Sequence, residues 1–219
     1  MKKFILFDND GVLVDTEKYY FKANQKLFQS LGYELTLDTY KTISLKSGKS
    51  VLEFFKQHGY DEEQILELRD KRDKIYEEYI FHENLALPGV SEKLRELSKH
   101  FRMAIVTSTK RSYFSAIHEK TEFAKFFEFV VAREDYKIAK PNPQPYLMGI
   151  EKSGCSRNQI VVIEDTPRGL ESAKAAGLDC VIVTNEYTAD AEFIGASLVL
   201  NSIDQLEIEN LMQLNSYQE

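Results

Sequence analysis

Five short, unbroken apolar runs punctuate the chain: Phe4–Phe7, Met103–Val106, Phe129–Ala132, Ile160–Ile163 and Cys180–Val183. A strand with one wet face alternates polar and apolar residues. These runs do not, so they predict strands covered on both faces, as in a parallel sheet. Between the later runs the apolar period lengthens to that of a helix. SEKLRELSKH places Leu94 and Leu97 on one face. PQPYLMGIEKSG begins with a proline and stops at Gly154, and PRGLESAKAAG runs from Pro167 to Gly177. Proline early and glycine just past the end is the asymmetry helices prefer. Alternating strand and helix predicts an α/β fold, a Rossmann-like doubly wound parallel sheet with helices on both faces.

The rhythm breaks once. Residues 16–85 carry helical patterns and no strand. Ala23, Leu27 and Leu31 form a stripe that stops at Gly32; SVLEFFKQHG stops at Gly59; Asp61 and Gln64 make a capping box for a long helix running past Ile75 and Tyr79. LPGV at Leu87–Val90 restores the strand–helix alternation. The expected organisation is a core of residues 1–15 and 86–219, with a small helical cap domain, 16–85, inserted after the first strand. Two chain crossings could serve as a hinge. The polar tail after about Leu206 reads as frayed or as a final helix.

Composition narrows the class. At 219 residues, 43% hydrophobic and 29% charged, the chain is long enough for one sizeable core and has the profile of a soluble globular protein. A net charge of −7 argues against nucleic acid as a partner. Cys155 and Cys180 have no metal-ligand spacing and read as reduced thiols, which points to the cytoplasm. The apolar run in MKKFILFDND ends after four residues, too short for a signal peptide. No stretch nears the ~20 apolar residues of a membrane span.

Ligands of open parallel sheets bind outside the carboxyl ends of the strands. The residues just past each apolar run are therefore informative. The first run leads to Asp8 and Asp10, in FDNDG; the second to Thr107 and Ser108; the third to a loop holding Lys140; the fourth to Glu164 and Asp165. Two carboxylates ~4 Å apart repel by roughly 4 kcal/mol at an effective dielectric of about 20. A bound cation, a raised pKa or exposure to solvent has to offset that cost. Asp-Asn-Asp-Gly is also a good turn sequence. Acids from two loops, joined by hydroxyls and one lysine, favour a site over a solvated edge. Oxygen ligands from Asp8, Asp10, Glu164 and Asp165 suit Mg²⁺. Lys140, the hydroxyls and the backbone N–H groups of the Gly11 turn suit a phosphoryl group.

Four motifs in order resemble those of the haloacid dehalogenase superfamily, in the branch with a helical cap after the first strand, which includes β-phosphoglucomutase and phosphoglycolate phosphatase. They are Asp8-Asn9-Asp10-Gly11-Val12, then Thr107, then Lys140 before Pro141, then Glu164-Asp165-Thr166 with Gly169, Ala173, Ala176 and Gly177 after it. The resemblance spans essentially the whole chain. It implies an Asp8 nucleophile that forms an aspartyl-phosphate and an Asp10 general acid and base. It implies Mg²⁺ held by the Asp8 side chain, the Asp10 backbone carbonyl and Asp165, with Glu164 close by or linked through water. Thr107 and Lys140 would hold phosphate oxygens, and Lys140 would keep Asp8 ionised. Asp10 should stay off the metal with a raised pKa. The activity implied is a Mg²⁺-dependent phosphatase hydrolysing a small phosphorylated metabolite, such as a sugar phosphate or phosphoglycolate. A closing cap would exclude bulky substrates and water. The chain would be a monomer or weak homodimer. The alternative is a β-phosphoglucomutase-like mutase, against which stand Tyr20 where that family has a histidine and a cap loop, SLKSGKS, with lysines but no arginine. A non-catalytic binding module would have lost Asp8 or Asp10, and both are present.

Other signals carry less. KSGKS at Lys46–Ser50 lacks the glycine a P-loop needs, Ile43 standing in its place, and lies in the helical insert. Lys46 and Lys49 are read instead as either a substrate-anion contact or a solvated basic turn. An EF-hand loop fails at Val12 and Leu13. Asp15 reads as a hinge or supporting group at the cap junction. His58, His82, His100 and His118 have no ligand spacing and read as surface or packing residues. Lys110 and Arg111 read equally as anion recruiters or as a charged helix start. Tyr19, Tyr20 and Phe21 read as cap core, or one of them as an aromatic that faces the site and packs on the substrate.

Overall fold

The structure, a computed structural model, describes residues 1–46 and 49–214; the Lys46 side chain lies outside the described residues. In chain order the elements are β1 (Phe4–Phe7), α1 (Thr16–Ser30), α2 (Leu37–Tyr40), a π-helical segment (Lys41–Lys46), α3 (Glu53–Gln57), α4 (Glu62–His82), α5 (Val90–Leu97), β2 (Arg102–Val106), α6 (Arg111–Thr121), β3 (Val130–Val131), α7 (Gln144–Ser153), β4 (Ile160–Glu164), α8 (Pro167–Ala175), β5 (Asp179–Val183), β6 (Leu198–Leu200) and α9 (Ile208–Gln213). The chain divides into two compact units, Met1–Asp15 with Asn84–Glu219, and Thr16–Glu83.

The first unit is built on one six-stranded parallel sheet in the order β3-β2-β1-β4-β5-β6. All four residues of β1 and all five of β4 are buried, which is why their sequences do not alternate. β1 pairs β2 on one side and β4 on the other, so the chain reverses its direction of winding at β1. That reversal opens a crevice beyond the carboxyl end of β1, where α/β sheets bind ligands. One core layer joins Phe4, Leu6, Val106, Tyr146, Val162 and Leu170. Gly149 of α7 lets that helix approach the sheet: a Cβ there would sit 2.9 Å from Leu6 and 3.1 Å from Val106.

β6 is a sixth strand that the apolar runs did not predict. Leu198 and Leu200 are half-buried and Val199 is exposed, because β6 is an edge strand paired only to β5. The run Phe129–Ala132 forms ladder pairs only at Val130 and Val131, on the opposite edge.

The helical unit has its own core around Leu27, Phe28, Tyr40, Leu52, Phe55 and Leu68, with Tyr20 and Phe21 packed against it. The Asp61–Gln64 capping box forms at the start of α4, with both bonds 2.9 Å long. A cavity of about 330 Å³ lies within this unit, with Lys49 and Arg72 among its lining residues. No helix among the described residues is long and apolar enough to cross a membrane.

Candidate active site

β1 ends at Phe7, and the chain turns at once. The Asn9 carbonyl accepts from Leu13 N and Val14 N, so Asp8 to Val14 form a tight loop outside the sheet. Gly11 sits at φ +78°, a backbone region that disfavours side chains; a Cβ there would also lie 2.0 Å from Asp165 Oδ2. Asp8 is buried, and its Oδ1 accepts from Lys140 Nζ at 2.6 Å. Lys140 also donates to Glu164 Oε1 at 2.7 Å and to the Val106 carbonyl at 2.9 Å. β1, β2, β4 and the loop after β3 thus converge on one ammonium group.

Glu164 is fully engaged. Its Oε1 accepts from Lys140 and from Tyr146 OH at 2.8 Å, and its Oε2 accepts from Asp165 N at 3.1 Å and Thr166 Oγ1 at 3.2 Å. Asp10 Oδ2 accepts from Thr107 Oγ1 at 2.9 Å and Thr109 Oγ1 at 2.7 Å. Thr107, expected as a phosphate contact, therefore reaches the acid/base candidate here. Ser108 is exposed and takes a bond from Tyr136 OH at 3.3 Å. Lys49 is exposed on the helical unit. Arg111 is tied to Asp135 at 2.5 Å and its amide to Glu134, the arrangement of a charged helix start.

The electrostatics suit a cation. Burial, then the charges of Glu164 and Asp10, push the Asp8 carboxyl up to about 8 against the pull of Lys140. Burial and the charges of Glu164 and Asp8 hold Asp165 well above the carboxylate range. Burial alone would lower the Lys140 ammonium, but Asp8 and Glu164 outweigh it and hold it above its ordinary value. Oxygens of Asp8, Glu164 and Asp165 lie within 4.8 Å of one another. Asp165 Oδ1 is buried with no hydrogen-bond partner among the described residues. A cluster of buried carboxylates with one unpartnered oxygen fits a hard divalent cation.

Three of the residues that escaped sequence reading are Thr109, Tyr146 and His118. Thr109 and Tyr146 join the site through contacts distant in sequence. So does His118 of α6, expected at the surface or in packing: its Nε2–H donates to Asn9 Oδ1 at 2.7 Å, between the two acids, while Nδ1 accepts from Thr121 Oγ1 at 2.9 Å. Burial lowers the His118 pKa to about 4, the charge of Asp10 opposing. Below the ordinary value of 6.5 the unfolded chain gains a proton that the folded chain refuses. Stability is then lost as the pH falls from 6.5 towards 4, by up to about 3 kcal/mol at ~1.4 kcal/mol per unit. Acid unfolding of wild type and His118→Gln checks this. The variant should lose less stability between pH 6.5 and 4.5; parallel curves would remove the assignment.

A parallel α/β sheet whose switch-point loops bring two aspartates, a lysine and a second acid pair together has the groups that phosphoryl transfer at a divalent cation requires. A family model described as haloacid dehalogenase-like hydrolase matches residues 5–183. A phosphorylated carbohydrates phosphatase of Thermotoga maritima is 31% identical over 183 residues, covering 80% of this chain and 82% of the relative. The protein CbbY of Rhodobacter capsulatus is 31% identical over 206 residues, covering 89% and 90%. The crystal structure of CbbY from Rhodobacter sphaeroides in complex with phosphate shares the fold at a TM-score of 0.78 and 23% identity, covering 97% of this chain and 100% of that one. The chain belongs to the haloacid dehalogenase-like hydrolase family.

Proposed function

We propose that the protein is a Mg²⁺-dependent phosphatase of small phosphorylated metabolites, sugar phosphates foremost, working through a phosphoryl group carried on Asp8. The observation that carries this reading is the Asp8–Lys140–Glu164 chain, with bonds of 2.6 and 2.7 Å, beside the unpartnered Asp165 Oδ1. Asp8 and Asp165, with the Asp10 main-chain carbonyl, would hold the cation, and Glu164 braces them through Lys140. Bound Mg²⁺ would neutralise the crowded carboxylates and draw charge from the phosphoryl oxygens.

The residues then divide the chemistry. An Asp8 oxygen attacks phosphorus, the ester P–O bond breaks, and the leaving alkoxide takes the Asp10 proton. Asp10, now a base, takes a proton from water; the hydroxide attacks phosphorus, the Asp8–phosphorus bond breaks, and inorganic phosphate leaves. Lys140, Thr107 and Ser108 are taken to orient the phosphoryl oxygens; the Gly11 N–H, expected from the sequence to join them, donates to the Val14 carbonyl at 2.8 Å instead. Thr109 and Thr107 hold the Asp10 carboxyl in place before substrate arrives.

The substrate class rests on the relatives and on the helical unit, which we take as a specificity cap. Its cavity offers the buried Arg72, Lys49, Ser44, Ser50, Tyr20 and Glu17, a mixture that suits a hydroxylated anion. At about 330 Å³ it is at the small end of ligand sites and fits a metabolite rather than a protein segment. Phosphate release with Mg²⁺ over a panel of sugar phosphates, phosphoglycolate and nucleoside monophosphates tests the reading. Release is expected from sugar phosphates, and loss of release with excess EDTA. Interconversion of glucose phosphates under a bisphosphate activator, without net release, would replace the phosphatase by a mutase.

A further inference from the structure

Asn185, in the turn after β5, belongs to no motif the sequence singled out. Every polar group of its side chain is committed. Nδ2 donates to Asp165 Oδ2 at 2.8 Å and to the Gly11 carbonyl at 3.2 Å, and Oδ1 accepts from Tyr187 N at 2.9 Å. Two acceptors on one end and a backbone donor on the other fix which way the amide points. The main chain is pinned too: Asn185 N donates to Thr188 Oγ1 at 3.1 Å, and the Asn185 carbonyl accepts from Thr188 N and Ala189 N. A half-buried amide is thus presented rigidly to the loops after β1 and β4.

The consequence falls on Asp165. A carboxylate has two equivalent oxygens, and burial in an acidic cluster gives no reason for either to face the cation. Asn185 breaks that symmetry by engaging Oδ2 and leaving Oδ1 without a partner among the described residues. The space on the Oδ2 side is already closed, since a Cβ on Gly11 would lie 2.7 Å from Asn185 Nδ2 as well as against Asp165. We propose that Asn185 is a positioning residue for the cation: it clamps Asp165 Oδ2 and the Gly11 turn together, so that Oδ1 is the ligating oxygen. Groups that orient metal ligands in this way cost roughly 10–100-fold in metal affinity when lost.

The proposal rests on the Mg²⁺ reading above, and Mg²⁺ alone is the probe. Calorimetric titration of the substrate-free protein compares wild type with Asn185→Leu, which keeps the volume and removes the donors. A space-filling asparagine would leave the affinity unchanged. A positioning asparagine predicts weakening by roughly 10–100-fold, and a smaller rise of melting temperature on adding Mg²⁺. Asn185→Ala gives the same comparison should the leucine disturb the turn, as circular dichroism would reveal. Equal Mg²⁺ affinity in wild type and a folded variant overturns the proposal while leaving the phosphatase intact. A wild type that binds no Mg²⁺ and releases no phosphate overturns both.

Discussion

Lys140→Met should abolish phosphate release and destabilise the protein together. Its ammonium group bridges two buried carboxylates, at 2.6 Å from Asp8 and 2.7 Å from Glu164. Removing one partner of a buried ion pair leaves the other charge uncompensated, at a cost of about 3–5 kcal/mol. Loss of a positioned charge that steadies a developing anion costs a further ~100- to 1000-fold in rate. The stability loss has a pH signature. Without Lys140 the Asp8 carboxyl, already pushed up to about 8, rises further, so above that pH the folded variant keeps a proton that folded wild type releases. A carboxyl raised on folding is tolerated below its unfolded pKa and penalised as pH climbs through and above it. The deficit of Lys140→Met should therefore grow as the pH climbs from 7 to 9.5 in denaturant titrations made without Mg²⁺. A deficit that is flat with pH would mean the lysine acts by packing, through its 4.7 Å approach to the Tyr146 ring.

Gly169→Ala should be nearly as damaging, although it adds one methyl group to a helix. The new Cβ would fall 1.9 Å from the Glu164 carboxyl carbon. A flexible surface glutamate would swing aside. Glu164 cannot do so cheaply, because Lys140, Tyr146, Asp165 N and Thr166 Oγ1 all hold it. Overpacking of this kind costs about 1–3 kcal/mol. Any relief through movement of Glu164 uncouples Lys140 from its anchor, so kcat should fall by at least ~10-fold. Alanine is the better helix former, so a variant with unchanged melting temperature and kcat would show that Glu164 moves without consequence.

The range of each interaction decides how much of the fold and site was legible in the sequence. β1, β2, β4 and β5 were visible because strands buried on both faces carry unbroken apolar runs, and their carboxyl ends marked where Asp8, Thr107 and Asp165 emerge. The order of the motifs along the chain supplied the rest of the candidate list. β6 was not visible because an edge strand with Val199 in solvent needs no unbroken apolar run. Thr109, Tyr146, His118 and Asn185 were not visible for another reason. Each meets the site through one hydrogen bond or two to residues between 18 and 174 positions away, and nothing local distinguishes them from ordinary polar or packing residues. The Lys46 side chain lies outside the described residues, so of the two cap lysines only Lys49 is placed, at the cavity of the helical unit.

The central claim is that Asp8 carries the phosphoryl group. Phosphate release by Asp8→Asn, set beside wild type on the best substrate of the panel and with saturating Mg²⁺, tests it most directly. The substitution keeps the shape of the side chain and removes the attacking carboxylate, so release should drop at least ~1000-fold while the melting temperature holds or rises. Release that continues undiminished in a purified Asp8→Asn protein would contradict the claim.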